Sequence, residues 1–395
     1  MEQSTELRRK KYVTTWGNAI SVADRKPENY AKDLTLRYPV RPMFDGEKIK
    51  ITLDNFCGTE PVTIRHVYVA GSADSAREIV EETNTAVTFC NGSEQVTIPA
   101  GEAVVSDEIG FETRRGQDFA VSLYLEDFTQ MRSAVLITGP LSKGYYTVGN
   151  AAKCGKLPLD FTRNTNWFYF LSNVEVYTDD INRAVLCYGD SITSQAWPDE
   201  LTLRLFRDKI EHTAIVRRAA SGTRVLRQYD NITYDSYGLK GSVRFPREAK
   251  ASGADTVIIQ HGINDIIHPV GVEVNPFRPW SDLPTAEELI QGLRQYIWQA
   301  KEYGLDVYMG TLLPIYGWRT YEPFLEELRC AVNEWIRSTK EIQGCIDFDK
   351  AVCDSLDPRA FAQGFDSGDH LHPSAAAYKR MAEEVPQSLL EHKEM

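Results

Sequence analysis

The sequence predicts two domains: an all-β sandwich or jelly roll over residues 1–180, and a doubly wound α/β domain with a parallel sheet over residues 181–395. Three observations carry this. At 395 residues the chain exceeds the size that one core comfortably serves. Up to about residue 180 apolar and polar residues alternate with the period of half-buried strands. Beyond about residue 181 short apolar runs alternate with amphipathic helical stretches, the rhythm of a parallel sheet covered on both faces.

In the first half, EKIKITLDN (47–55), VTIRHVYVA (62–70), EQVTIPA (94–100), FAVSLYLED (119–127), SAVLITG (133–139) and WFYFLSNVEVYT (167–178) are rich in β-branched and aromatic residues. Clusters of Gly, Asn, Asp and Pro separate them, the spacing of a sandwich or jelly roll. Tyr12 and Trp16, in KKYVTTWGNAIS, are expected to pack this half against the other.

In the second half, strands are expected near 184–189, 213–219, 255–261, 306–312 and 345–349. Helices fill the gaps. PDELTLRLFRD (198–208) opens with a first-turn proline, and TAEELIQGLRQYIWQAKEYG (285–304) opens as a T-x-x-E capping box. TYEPFLEELRCAVNEWIRST (320–339) and a last helix after HPSAAAYKRMAEEV complete the set.

A net charge of -12 argues against nucleic acid or an anionic membrane as a partner. A homo-oligomer is compatible with the composition. The N-terminal stretch MEQSTELRRKKYVTTW lacks the apolar run of a signal peptide, and no later segment has the length of a membrane span, so a cytoplasmic protein is expected. The seven cysteines (57, 90, 154, 187, 330, 345 and 353) are odd in number and include no CxxC pair. They read as reduced thiols, with no zinc site, no disulfide framework and no cofactor.

Ligands of doubly wound domains bind outside the carboxyl ends of the strands. Three loops there carry small and polar residues: GDSITS (189–194), AASGTR (219–224) and HGINDI (261–266). A serine hydroxyl is a weak nucleophile that needs a base, a group to orient that base, and donors for the oxyanion. Ser191 sits at a strand-to-helix turn that Gly189 allows to be tight, so its own N–H can face the site. The Gly222 N–H and the Asn264 amide would add two donors. For the base, GFDSGDHLHPSAAAYKRM offers His370 and His372 with Asp366 and Asp369 beside them. Asp369 and His372 are spaced so that a single turn can set the carboxylate against the imidazole.

Together, GDSIT around Ser191, a glycine after the second strand, GIND around Asn264 and a terminal D-x-x-H-P resemble the four blocks of the SGNH, or GDSL, hydrolases. AASGTRVL, GTLLPIYG and SGDHLHPSAAAYKRMA are similar to a bacterial esterase subgroup with an N-terminal β-rich domain. The resemblance implies a three-layer α/β/α, flavodoxin-like domain and metal-free ester hydrolysis through an acyl-enzyme. It implies Ser191 as nucleophile, His372 as base, Asp369 as its orienter, and Gly222 and Asn264 as oxyanion donors beside the Ser191 amide. One departure is visible: relatives often read N-x-G in the second block, where this chain has Ala220, Ser221 and Gly222.

Gly189, Asp190, Gly262 and Asp265 read as support for these motifs, the two carboxylates as hydrogen-bonding groups of their loops. His261, Trp280 and Trp318 are candidate substrate contacts, although His261 also reads as a packed residue and the tryptophans as local core. A metal site built from Asp369, His370 and His372 lacks the spacing of a ligand cluster. The expected activity is hydrolysis of short acyl esters, acetyl above all, on a small molecule or carbohydrate. The rival expectations are a lysophospholipase or acyl-thioesterase, and a carbohydrate-binding protein on an inactive hydrolase scaffold.

Overall fold

A computed structural model describes residues 9–22, 29–228 and 237–391. Residues 1–8, half of the stretch read above for a signal peptide, lie outside them.

The first half forms two main antiparallel sheets. One joins Lys10–Gly17, Leu171–Asp179 and Gly46–Asp54, the last of which also pairs with Ala103–Val105 and Ile109–Thr113. The other runs Arg163–Thr165, Gly144–Val148, Leu34–Val40, Phe119–Leu125, His66–Gly71 and Thr85–Ala86. Ile49, Ile51, Leu53, Val174 and Val176 of the first share one core with Leu36, Tyr38, Val69, Val121 and Leu123 of the second. This is the packing of a β-sandwich.

Two expected strands are each split. The 62–70 run divides at Arg65: Val62–Ile64 pairs with Val96–Ile98, whereas His66–Gly71 joins the larger sheet. The 167–178 run divides at Phe170, whose φ of 63° turns the chain out of one sheet and into another. In the 62–70 run the apolar positions change phase at the break, from Val62 and Ile64 to Val67 and Val69, and in the 167–178 run five apolar residues cross it without alternation. The central strand Leu34–Val40 carries no clear strand signal, because it contains Pro39 and the charged Arg37, which is fully buried. Pro39 lies beyond the Gly144–Val148 pairing, which ends at Arg37, and is paired in register with Ala120 on the other side only. Arg37 donates from Nε to Ser122 Oγ and from Nη2 to the carbonyls of Ala151 and Cys154, while its buried Nη1 has no partner among the described residues.

In the second half five parallel strands, Arg183–Gly189, Thr213–Ala219, Ala254–Gln260, Asp306–Gly310 and Gly344–Ile346, form one sheet. The second strand lies outside the first and the others follow in sequence, the flavodoxin-like order. Every residue of the first two strands is buried, so both faces are covered. The last strand stops short of its expected end, at Ile346, because Asp347 caps the helix that follows.

The helices are α1 (Ser191–Ser194), α2 (Trp197–Arg207), α3 (Gly241–Glu248), α4 (Ile263–Ile267), α5 (Ala286–Glu302), α6 (Pro323–Ser338), α7 (Phe348–Val352), α8 (Ala375–Glu384) and α9 (Gln387–Leu390). They fall into two touching groups, α2, α7 and α8 in one, α3, α5 and α6 in the other. The capping box of α5 forms as its sequence predicts, with Thr285 and Glu288 bonding each other's backbone N–H. Among the described residues no helix is long and apolar enough to cross a membrane.

The two cores interleave. Val13 of the first strand is fully buried in the core of the α/β half, and Thr14 N–H donates to the Ser252 carbonyl at 2.8 Å. Ala220 in turn belongs to the core of the β-rich half. Tyr12 packs on Tyr177 and Trp16 on Phe168, both inside the β-rich half, and Trp16 also lines a small cavity at the seam with Pro198, Thr202, Ile215 and Arg217 of the other half.

Candidate active site

The first three parallel strands end side by side, and the expected site residues lie on the loops that leave them. After Gly189 the chain turns at once into α1. A Cβ on Gly189 would press on the Gln260 carbonyl and the Thr193 side chain, so the strand can lie this close only with glycine there. Asp190 caps α1 by accepting from Ile192 N–H at 3.1 Å, and Ser191 occupies the first helical position. Burial pushes the Asp190 carboxyl up to about 7, with Asp265 adding to it and the Ile192 N–H and Arg244 opposing.

The loop from Ala220 to Leu226 is held from several sides. Asp265 accepts from the N–H groups of Val225 (2.7 Å) and Leu226 (3.0 Å). Asn264, also buried, donates from its amide to the Thr223 carbonyl at 3.0 Å, which uses one of the two N–H groups of that amide. Arg244, paired with Glu248, donates to Thr223 Oγ1 at 2.8 Å. These bonds keep Gly222 at a φ of +76°, and a Cβ there would run into the Tyr237 ring. Gly262, at +127°, makes the corresponding turn into α4. Gly189, Asp190, Gly262 and Asp265 thus shape these loops through close backbone approach, positive φ and hydrogen bonds.

The terminal loop supplies the base. Asp369 Oδ1 accepts from the N–H groups of Leu371 (3.0 Å) and His372 (2.8 Å), a turn that swings the imidazole back onto its own carboxylate. His372 Nδ1 then lies 2.7 Å from Asp369 Oδ2, and His372 Nε2 lies 2.9 Å from Ser191 Oγ. With the Nδ1 proton on the Asp369 side, Nε2 accepts the serine hydroxyl. Burial raises the Asp369 carboxyl, but hydrogen bonds from the His372 side chain and from the His372 and Leu371 N–H groups outweigh it and hold it at about 2. It is ionised throughout the neutral range.

One expected contact is corrected. His261 is buried, and both ring nitrogens are taken: Nε2 faces the Thr223 carbonyl at 3.0 Å, and Nδ1 faces Tyr296 OH at 3.1 Å. Burial, reinforced by Arg244, holds it down at about 3, so it is neutral. It steadies the Gly222 loop and has no free nitrogen for a substrate. Trp280 is 38% exposed, its ring edge on Phe324 and its N–H on Glu273. Trp318 is half-buried under Arg319, on a loop that reaches from His370, against Gly317, to the Ile267 carbonyl, bound by Thr320.

Residues that spacing did not single out complete the arrangement. Ser194 Oγ bonds Ser221 Oγ at 2.9 Å, joining the nucleophile's helix to the Gly222 loop. Arg244 with Glu248 underpins that loop, in a helix carrying Pro246 that no sequence signal marked.

A family model for GDSL-like lipases and acylhydrolases matches residues 187–380. No curated protein matches the chain in sequence. Among solved structures, the chain is similar to a lipase/acylhydrolase from Enterococcus faecalis (18% identity, 54% of this chain and 100% of that one, TM-score 0.38). It is also similar to a GDSL-like lipase from Bacteroides thetaiotaomicron (16%, 52% and 87%, TM-score 0.36). A third likeness is to the acetylxylan esterase Axe2 from Geobacillus stearothermophilus (17%, 52% and 94%, TM-score 0.36). The family model, with the parallel sheet and its loops, carries the assignment. Through its second half, this chain belongs to the SGNH/GDSL family of lipases and acylhydrolases and is a carboxylic ester hydrolase.

Proposed function

We propose that the chain is a serine esterase that removes short acyl groups, acetyl above all, from a carbohydrate or similar polar alcohol. The observation that carries the mechanism is the unbroken contact from Asp369 through His372 to Ser191. Ser191 Oγ attacks the ester carbonyl while its proton passes to His372 Nε2. The oxyanion is held by the N–H groups of Ser191 and Gly222 and the second amide N–H of Asn264. As the C–O bond breaks, His372 returns the proton to the departing alcohol, leaving an acyl-enzyme. His372 then takes a proton from water, whose oxygen attacks the acyl carbon, and passes it to Ser191 Oγ as the acyl C–Oγ bond breaks and the acid leaves. Asp369, ionised at neutral pH, stabilises the imidazolium in both halves of the cycle.

The exposed aromatic rings of Trp280, Phe324 and Tyr316 suit a sugar ring, which supports the carbohydrate reading. Seven free thiols support a reducing, cytoplasmic setting. A longer acyl chain is the second reading, favoured by exposed Val272, Val274 and Phe277 on the loop after α4. Rates across p-nitrophenyl esters decide between them. A maximum at acetate is expected, and a maximum at octanoate or beyond overturns it in favour of a lipolytic enzyme. An inactive carbohydrate-binding scaffold would show no turnover on any of these esters.

A further inference from the structure

Arg217 and Arg218 stand next to each other on the edge strand Thr213–Ala219, both buried, and their side chains leave it on opposite faces. Arg218 donates to the carbonyls of Asn18 (2.9 Å) and Ser172 (2.8 Å) and to Asn173 Oδ1 (2.7 Å). All three acceptors belong to the β-rich half. Arg217 donates to Ser142 Oγ at 3.1 Å, also in that half, and to the Gln195 carbonyl at 3.2 Å.

These ties converge on the reacting groups. Directly after Arg218 come Ala219, then Ala220 inserted into the β-rich core, then Ser221 bonded to Ser194, then Gly222. On the other flank Thr138 N–H of the β-rich half donates to the Ser194 carbonyl at 3.2 Å, at the end of the nucleophile's own helix. The β-rich half therefore grips the backbone just before Gly222 and just after Ser191.

We infer that the β-rich half is a positioning element of the active site, and that Arg218, seated on Asn18, Ser172 and Asn173, sets the aim of the Gly222 amide. The inference rests on the reading of Gly222 as an oxyanion donor. Charge appears on the carbonyl oxygen only as the tetrahedral state forms, so a misaimed amide lowers kcat and leaves KM nearly unchanged. A shift of about 1 Å at such a donor costs on the order of 100-fold.

The test compares Arg218→Gln, Arg218→Lys and Asn173→Ala in the full chain. Each is measured for kcat and KM on p-nitrophenyl acetate and for inhibition by phenylboronic acid, whose tetrahedral adduct on Ser191 places an oxygen at the oxyanion position. Arg218→Gln is expected to lower kcat by roughly 10- to 100-fold with KM within about twofold, and to weaken the boronate by a similar factor. Arg218→Lys should recover part of the loss, since an ammonium keeps the charge and three donors but places them on one nitrogen, whereas the guanidinium reaches these acceptors from two. If thermal melts show that Arg218→Gln does not fold, Asn173→Ala decides, because it leaves two of the three bonds in place. A folded variant with wild-type kcat and boronate affinity, or with KM alone raised, overturns the inference. Asn264→Ala is the reference. If it weakens the boronate and the seam variants do not, positioning falls and the oxyanion reading stands; if it too has no effect, both fall.

Discussion

Asp366 with His370 and Asp369 with His372 share one short loop, and the second pair alone meets a serine. Both are built alike. Asp366 accepts the N–H groups of Gly368 and His370, as Asp369 accepts those of Leu371 and His372, and each carboxylate then binds its histidine, at 2.5 Å and 2.7 Å. The difference lies in direction. His370 has a left-handed backbone, φ 62°, and its ring lies against Gly317 with 52% of the side chain exposed. His372, 23% exposed, faces α1. An aspartate and a histidine a turn apart make a local pair; whether that pair is a general base depends on what the fold puts in front of the second nitrogen.

The widest contrast is expected from removing the two rings. His372→Ala should lower kcat on p-nitrophenyl acetate by about 10³-fold or more, and Ser191→Ala by a similar factor, with EDTA present throughout. His370→Ala should stay within about fivefold, the scale of an exposed pair. Equal losses from the two histidine variants would end the distinction drawn between them.

A narrower contrast comes from the carboxylates. Asp369→Asn presents an amide where Nδ1–H needs an acceptor with charge, and should cost about 10²- to 10⁴-fold in kcat. Asp366→Asn should change kcat by less than about fivefold. With Asp369 held at about 2, its ionisation is expected to leave kcat/KM level between pH 4 and 8. A pH–rate profile of Asp369→Asn that keeps the wild-type rate would remove Asp369 from the mechanism.

The smallest effect concerns stability and tests the support behind the serine. Asp190 is raised to about 7 from the 3.8 of an unfolded chain, so across that window the folded state holds a proton that the unfolded state has lost. Its contribution therefore declines as pH rises from about 4 to 7, by something on the order of 1–4 kcal/mol. His261, lowered to about 3 from 6.5, has the opposite sign: its contribution is full above about 6.5 and declines as pH falls below it. Urea melts of Asp190→Asn should lack the decline toward neutral pH. An unchanged pH profile would show that Asp190 is ionised in the folded state.

Much of the site could be read from the chain because its residues lie where uninterrupted apolar runs end. Gly189, Gly222 and Gly262 mark backbone that only glycine can follow, and the Asp369 turn is closed by its own neighbours. His261 was harder. Its position at a strand end marked it as near the site, but both nitrogens are spent on Thr223 and Tyr296, partners 38 and 35 residues away. The sheets joined by the pieces on either side of Arg65 and Phe170 were hard to foresee for the same reason, since alternation records which face a residue takes and not which sheet it joins.

The sequence by itself determined the local elements: short buried strands followed by helices, a capped turn at Asp190 and Ser191, a capping box at Thr285, and an aspartate folded onto His372. Only the tertiary structure decided that His372 rather than His370 stands before a serine 181 residues away, and that Arg218 leaves its strand to grip the β-rich half. The physical reason is range. Caps, turns and glycine conformations are settled by neighbours along the chain, whereas the distance between loops on different strands is set by sheet order and register.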